Sequence, residues 1–547
     1  MSRWGSQLIR KCFRLNLKDL SNNRTKNKYP KYIFAGISAT SAAVAVGAVK
    51  NEDDIIVGAK GLIRFVRSIQ IGLAISLDYY FSTFGLSEEA ENYALMMSRI
   101  HQRCAERIRD GCLENGGTYV KLGQGIVSLS HILPKEYIVT LKVLQDKCLA
   151  RNKEELYQVF QEDFGHTPEE LFETFDSDPI AAASIAQVFK ATTKEGRSVA
   201  VKVQYNDLQK RLNGDVMTIN ILLKIGAWLH PKVDFTWILN GFVDALKQEL
   251  DFVNEGLNGE RCARDLAHLK YVHVPAVLWN YTNTRVLVTE FIDGIKITDV
   301  KRLKQEGYSL ADINIKLFES FGSQIFESGF VHADPHPGNI MIRKNNGKTQ
   351  LIILDHGLYQ IVPNEERMAL SHLWKAIVLG DHNKMNVYSK ALGVDDYTMF
   401  AEILTQTPLR TTGFRLKFKL SKQEEDYMRK VAGERFDQIV DCLQEMPNSL
   451  LLVLRNLNTI RAISYDLGNP IDRYAILARI ATKTAFESEN NGIIRKMLSI
   501  PKKCWFEVNL FLIRLVNFWR MQLLKLLYAI GAAPDVNKLI ERAARAL

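Results

Sequence analysis

The chain has 547 residues, with 71 Lys and Arg against 61 Asp and Glu, a formal net charge of +10, 47% hydrophobic and 24% charged side chains. That is an ordinary globular composition, which excludes disordered, collagen-like and coiled-coil chains. At roughly 100–200 residues per domain the length suggests three or four folding units.

The charge is unevenly placed. Residues 1–31 hold nine cations (Arg3, Arg10, Lys11, Arg14, Lys18, Arg24, Lys26, Lys28, Lys31) and one acid, Asp19, so +8 of the +10 lies there and +2 is left for the rest. A nucleic-acid footprint needs a basic face on a folded domain with motif support, and no such partner is expected. On a helix Arg10, Arg14 and Lys18 form one stripe beside an apolar one of Ile9, Phe13 and Leu17. An Arg-rich, acid-poor amphipathic start predicts a mitochondrial targeting segment over 1–31; the competing reading is a basic arm on an acidic surface.

Residues 32–50 predict a single transmembrane helix. The uncharged run Tyr32–Val49 is roughly 27 Å long as a helix, against a hydrocarbon layer of roughly 30 Å; a buried or cleaved helix is the alternative. Basic residues precede it and Glu52, Asp53 and Asp54 follow, which orients the body toward the intermembrane space of a mitochondrial inner membrane. The seven cysteines are dispersed without a C-x-x-C pair, so neither a disulfide framework nor zinc is indicated.

Residues 51–150 read as a helical extension containing Gly116-Gly117-Thr118-Tyr119-Val120-Lys121-Leu122-Gly123-Gln124. Lys121 and Gln124 are i, i+3 on one helical face, and Gly123 permits close approach. Runs Ile185–Thr192 and Ser198–Val203 flank a turn at Lys194–Gly196, which predicts a hairpin. The second run places Lys202 in Val-Ala-Val-Lys, the setting of a lysine that touches α/β-phosphates.

His332-x-Asp334 with Asn339 five residues beyond the Asp matches a catalytic-loop spacing, and the apolar run before Asp355-His356-Gly357 presents a second carboxylate. Phosphoryl transfer needs a carboxylate and an amide to hold Mg²⁺ and an acid to orient the nucleophile. Asn339 and Asp355 are the candidate metal ligands, and Asp334 the base. Glu255 is the candidate helical partner of Lys202, and Arg285–Gly294 reads as a buried strand leading to a hinge. Glu290 and Ile292 would there offer backbone groups to an adenine.

The loop expected to cover the phosphates is Ala181-Ala182-Ala183-Ser184 where glycines are usual, and no A-P-E follows Asp355. Both departures weaken a peptide-kinase reading. Residues 364–500 read as helical without further motifs. Trp505–Leu527 is aromatic and aliphatic with Arg514, Arg520 and Lys525 spread along it. Three cations argue against a span and leave an interfacial or a packing helix.

Together these residues resemble the UbiB, or aarF-domain, family of atypical kinase-like proteins, in its mitochondrial branch. Lys121–Gln124 is similar to that family's K-x-G-Q, Ala181–Ser184 to its Ala-rich loop, and Glu249-Leu250-Asp251 to its E-x-D. The resemblance implies an α+β, two-lobed protein-kinase-like fold, with a K-x-G-Q extension folded across the active site and a mostly helical C-terminal region. The implied boundaries are 51–150 for the extension, 151–293 for the N-lobe, 294–480 for the C-lobe and 481–547 for a C-terminal helical segment. It also implies ATP and Mg²⁺ as cofactors, and a lipid-like or small-molecule substrate in lipid or quinone metabolism at the mitochondrial membrane. The alternative is a nucleotide-binding scaffold that organises partner proteins.

Overall fold

The computed structural model describes residues 52–83, 93–128, 134–146, 153–182, 185–206, 208–229, 246–406, 436–468 and 471–488, with position 243 and several positions within 504–523. The targeting segment and the span expected over 32–50 lie outside these residues, as do Ala183 and Ser184. Among the described residues no helix is long and apolar enough to cross a membrane. The chain forms two compact units, Met1–Asn254 with Leu278–Phe291, and Glu255–Val277 with Ile292–Leu547.

The helices of the first unit are α1 (Glu52–Thr83), α2 (Tyr93–Asn115), α3 (Thr118–Ser128), α4 (Lys135–Leu141), α5 (Val143–Asp146), α6 (Lys153–Phe164), α7 (Pro168–Leu171) and α8 (Leu208–Leu229). Its strands are β1 (Phe172–Phe175), β2 (Ala181–Ala182), β3 (Ala186–Thr193), β4 (Ser198–Gln204) and β6 (Val286–Glu290), β5 belonging to the second unit. They form an antiparallel sheet in the order β1-β3-β4-β6, with β2 also on β3. The β3–β4 turn closes at Gly196, whose φ of +78° is open to glycine and costly for a side chain. Period-two alternation turns Val199, Val201 and Val203 into a core with Phe160, Phe172 and Phe189, which sends Lys202 to the other face.

Helix α1 buries Tyr79 in a core with Met97 and Ile100 yet exposes a second apolar face. Leu62, Val66, Leu73, Leu77 and Phe81 are exposed, while Arg64, Arg67 and Asp78 face the unit. Arg64 Nε donates to Asp215 Oδ1 on α8 at 2.9 Å, and Arg67 Nη1 donates to Asn115 Oδ1 at 2.8 Å. Asp78 accepts from Arg103 Nη2 at 2.6 Å and from Arg107. The Arg103 hydrogen bond, joined by Arg107, holds the Asp78 carboxyl well below the usual carboxylate range. A folded pKa below the unfolded one stabilises fully above the unfolded value and is lost as pH falls. Asp78→Asn should therefore flatten the drop in stability from about pH 5 to about pH 3, read from urea midpoints across that window.

The second unit contains α9 (Phe252–Asp265, beginning three residues before the division), β5 (Val272–His273), β7 (Ile295–Lys296), α10 (Val300–Gln305) and α11 (Leu310–Gly322). Then come β8 (Phe330–His332), β9 (Ile340–Asn345), β10 (Lys348–Ile353) and β11 (Tyr359–Ile361). Helices α12 (Asn364–Leu379), α13 (His382–Ala391), α14 (Tyr397–Thr405), α15 (Phe436–Glu445), α16 (Asn448–Asp466) and α17 (Arg473–Ser488) complete it.

Its strands pair as β5-β10-β9-β7 and β11-β8. The β9–β10 hairpin turns through Asn346 (φ 50°) and Gly347 (φ 75°), the Asn-Gly pair that two-residue hairpins favour. Helix α11 runs into a π-turn, Ser323–Ser328, that ends at left-handed Gly329. The core is built on Phe318, Phe321, Phe326, Trp374 and Phe400, all buried.

Candidate functional site

In the second unit the catalytic-loop residues converge through the backbone of β8. His332 is buried, its Nε2 lies 2.7 Å from the carbonyl oxygen of Asp355, and Asp334 N donates to its Nδ1 at 3.2 Å. This pattern requires the Nε2–H tautomer, and burial lowers the imidazole pKa. His332 N donates to Gln324 Oε1 at 2.9 Å, so the π-turn, a device frequent at functional sites, holds the loop from behind. Asn456 Nδ2 on α16 donates to the His332 carbonyl at 2.6 Å.

The turn Pro337–Asn339 then presents Asn339, whose Nδ2 donates to Asp355 Oδ2 at 3.2 Å. Gly357 N donates to Asp355 Oδ1 at 3.0 Å. The intervening His356 is buried, with Nδ1 2.9 Å from Tyr359 Oη and Nε2 3.1 Å from the Ile353 carbonyl. Its backbone carbonyl accepts from Asn258 Nδ2 on α9 at 3.1 Å. His356 is a structural plug that holds its neighbour Asp355 in place.

Asp334 and Asn339 thus sit around Asp355 within one unit, and Arg455 Nη2 on α16 meets Asp334 Oδ2 at 3.0 Å. The carboxylate of Asp355 and the amide oxygen of Asn339 are hard oxygen donors. Mg²⁺ accepts such a pair when phosphate oxygens and water complete the octahedron, so these residues fit that ion. Among the described residues no group of three His, Cys, Asp or Glu could hold a metal.

In the first unit Lys202 lies on the sheet face opposite the valine core, its Nζ 5.0 Å from the centre of the Phe252 ring. Lys121 on α3 pairs with Glu249 at 2.5 Å. Gln124 Nε2 donates to the Leu144 carbonyl at 2.8 Å. A Cβ on Gly123 would stand 2.3 Å from Leu144 Cδ1, which explains the glycine between them. Asp251 accepts from Val253 N at 3.1 Å and Asn254 N at 3.4 Å, so it caps α9, and Glu255 is buried in the first turn of that helix.

Glu290 ends β6 opposite Val199 and Ile292 is buried. The chain passes from one unit to the other between Phe291 and Ile292. One expectation changes here. Ala181 and Ala182 are not loop but the short strand β2, paired with Val188 and Gln187 of β3. Residues 364–500, read as lacking motifs, supply Arg455 and Asn456; no spacing rule connects them to a loop more than a hundred residues earlier.

An antiparallel sheet bearing a strand lysine, and a mostly helical unit bearing H-x-D, Asn and D-x-G on short strands, define a protein-kinase-like protein of α+β class. The ABC1 atypical kinase-like domain matches residues 143–389. The chain is 35% identical over 411 residues to AarF domain-containing protein kinase 1 of Gallus gallus, covering 74% of this chain and 79% of that one. It is 31% identical over 487 residues to AarF domain-containing kinase 1 of Drosophila melanogaster, covering 85% and 93%. A Dictyostelium discoideum protein named as a serine/threonine-protein kinase, abkD, is 39% identical over 454 residues, which span 82% of this chain and 65% of that protein. The chain belongs to the ABC1/AarF atypical kinase-like family.

Proposed function

We propose that this protein is an atypical kinase or ATPase of the mitochondrial inner membrane that uses ATP and Mg²⁺ and supports lipid or quinone homeostasis. Its substrate is lipid-like or a small molecule. The observation that carries the reading is the Asp334–Asn339–Asp355 constellation, with Asn339 donating to Asp355 at 3.2 Å and Arg455 on Asp334 at 3.0 Å. Asn339 and Asp355 are the residues that would hold Mg²⁺, which would supply positive charge to the phosphate oxygens. Asp334, aimed by Arg455, accepts the proton of the attacking hydroxyl or water. Within the first unit Lys202, in its Val-Ala-Val-Lys strand, is the candidate phosphate-binding lysine.

The passage from Asp355 to α12 supports a non-peptide substrate. β11 ends at Ile361 and α12 begins at Asn364, which leaves no length for a substrate-docking activation segment, and no A-P-E follows. The mitochondrial address rests on the composition of residues 1–31. The scaffold reading draws on the Ala181–Ala182 segment, a strand paired with β3 where a glycine-rich phosphate loop is usual.

ATP turnover by the full chain in Mg²⁺, with radiolabel followed into lipid extracts and into protein, separates these readings. Label in lipid or as free phosphate supports the first. Nucleotide binding without turnover supports the scaffold, and label in a peptide refutes the substrate class.

Arg455 yields a sharper expectation. Arg455→Ala removes the guanidinium that meets Asp334 Oδ2 at 3.0 Å, and a positioned base contributes about 10²–10⁴-fold. Turnover should fall about 10–100-fold while KM for ATP stays within about twofold, as steady-state kinetics would show.

A further inference from the structure

We propose that the outward face of α1 is the seam of a homodimer, in which α1 packs antiparallel on the α1 of a second copy about a twofold axis beside Ile71 and Gly72. Between positions 61 and 83 the exposed residues are Leu62, Ile63, Val66, Gln70, Leu73, Leu77 and Phe81. Six are apolar and none is charged, and the helical period gathers all seven into an arc of about 100°. Phe81 is 68% exposed and Leu77 52%. Monomers seldom leave a contiguous apolar band of that extent in water.

The spacing of the face identifies its occupant. Leu62, Val66, Gln70, Leu73, Leu77 and Phe81 follow one another at steps of four, four, three, four and four, a series that reads the same in both directions. Turned antiparallel, the stripe matches itself: Leu62 falls opposite the partner's Phe81, Val66 opposite the partner's Leu77, and Gln70 opposite the partner's Leu73. A closed dimer requires such a match, because a twofold interface is made by the same patch on both subunits. The two Gln70 side chains flank the axis about 5 Å apart along the helices, and a lone polar residue in an apolar seam fixes its register. Six apolar side chains that are about half exposed offer about 600 Å² per copy, or about 1,200 Å² in all, the lower end of a specific interface. A lipid surface fits less well. The cations between 61 and 83 are Arg64 and Arg67, which meet Asp215, Asn115 and Glu114 of their own unit, whereas a headgroup-layer helix lays its cations on lipid phosphates.

Sedimentation velocity of the full chain over about a thousandfold range of concentration should show monomer passing to dimer. The double variant Leu73→Asp with Leu77→Asp should raise the dissociation constant at least about 100-fold. Both side chains are exposed in the single chain, so the circular dichroism spectrum should not change. A cross-link checks the register. In a mixture of Leu62→Cys and Phe81→Cys chains a short bismaleimide should join the two variants. Leu62→Cys alone should give no more dimer than wild type, since the two copies of that position lie about 28 Å apart along the seam.

A chain that stays monomeric throughout overturns the proposal, and if phosphatidylcholine vesicles then bind wild type but not the double variant, the face belongs to lipid. A dimer that the double variant leaves intact overturns it as well, because another surface then holds the copies together. So does cross-linking of Leu62→Cys to itself as strongly as to Phe81→Cys, which would make the helices parallel. None of these readouts involves nucleotide, so the proposed phosphoryl chemistry stands or falls separately.

Discussion

Asp355→Asn should lower Mg²⁺-dependent ATP turnover by about 10³-fold, which corresponds to about 4 kcal/mol of transition-state stabilisation. The substitution is isosteric and keeps one oxygen where Gly357 N donates at 3.0 Å. The other position becomes an amide facing Asn339, whose own amide can turn over to meet it. The plug formed by His356 against Tyr359 and the Ile353 carbonyl does not involve the changed group. Melting temperature should therefore stay within a few degrees, while the formal charge needed to hold a divalent cation is gone. Turnover measured across a Mg²⁺ titration separates the two effects. A variant as active as wild type would show that Asp355 is not the metal carboxylate.

Asp215→Ala should be among the most destabilising single changes in the first unit, by about 3–5 kcal/mol. Asp215 is 2% exposed and is faced by Arg64 Nε at 2.9 Å and by Arg211 Nε at 3.5 Å. Burial pushes its carboxyl above the ordinary range even though both guanidiniums pull it down. An ion cluster of this kind contributes little net stability when intact, and its removal as a set by apolar residues is close to neutral. Removing the acid alone leaves two buried cations on α1 and α8 repelling each other.

The damage should reach α3 as well. A Cβ at Gly117 would lie 1.8 Å from Arg211 Nη2, so the Gly116–Gly117 turn that starts α3 packs directly on that guanidinium. Urea denaturation reads the loss, and the triple replacement of Arg64, Arg211 and Asp215 by Met, Leu and Leu is the control that should recover most of it.

Features carried by contiguous residues were legible in the sequence. Period-two valines and the Lys194–Gly196 turn located β3 and β4 to within a residue at each end. The separations among His332, Asp334, Asn339 and Asp355 picked out groups that the fold gathers in one unit. Features made by packing were not legible. Arg455 and Asn456 belong to a helix that reads as generic, and only tertiary structure brings it against β8. Gln324 reaches the loop because the backbone widens into a π-turn, which leaves no mark in hydrophobic periodicity. The Asn346-Gly347 hairpin did carry a local signal, and its strands are short enough that the flanking motifs overshadow it. The outward apolar face of α1 runs against the usual amphipathic rule, since its charged residues have buried partners on α2 and α8.

The first unit is discontinuous, ending at Asn254 and resuming at Leu278–Phe291, and the late piece is β6, which hydrogen-bonds to β4 from Val199 opposite Glu290 to Val203 opposite Val286. A ribosome adding about 5–20 residues per second has therefore made both strands of the β3–β4 hairpin many seconds before the strand that closes it. During that interval β4 offers an open edge of unpaired amides and carbonyls, with Val199, Val201 and Val203 beside it, the arrangement most prone to wrong pairing. A nascent chain halted before residue 291 should be a chaperone client, and one released just after β6 should not.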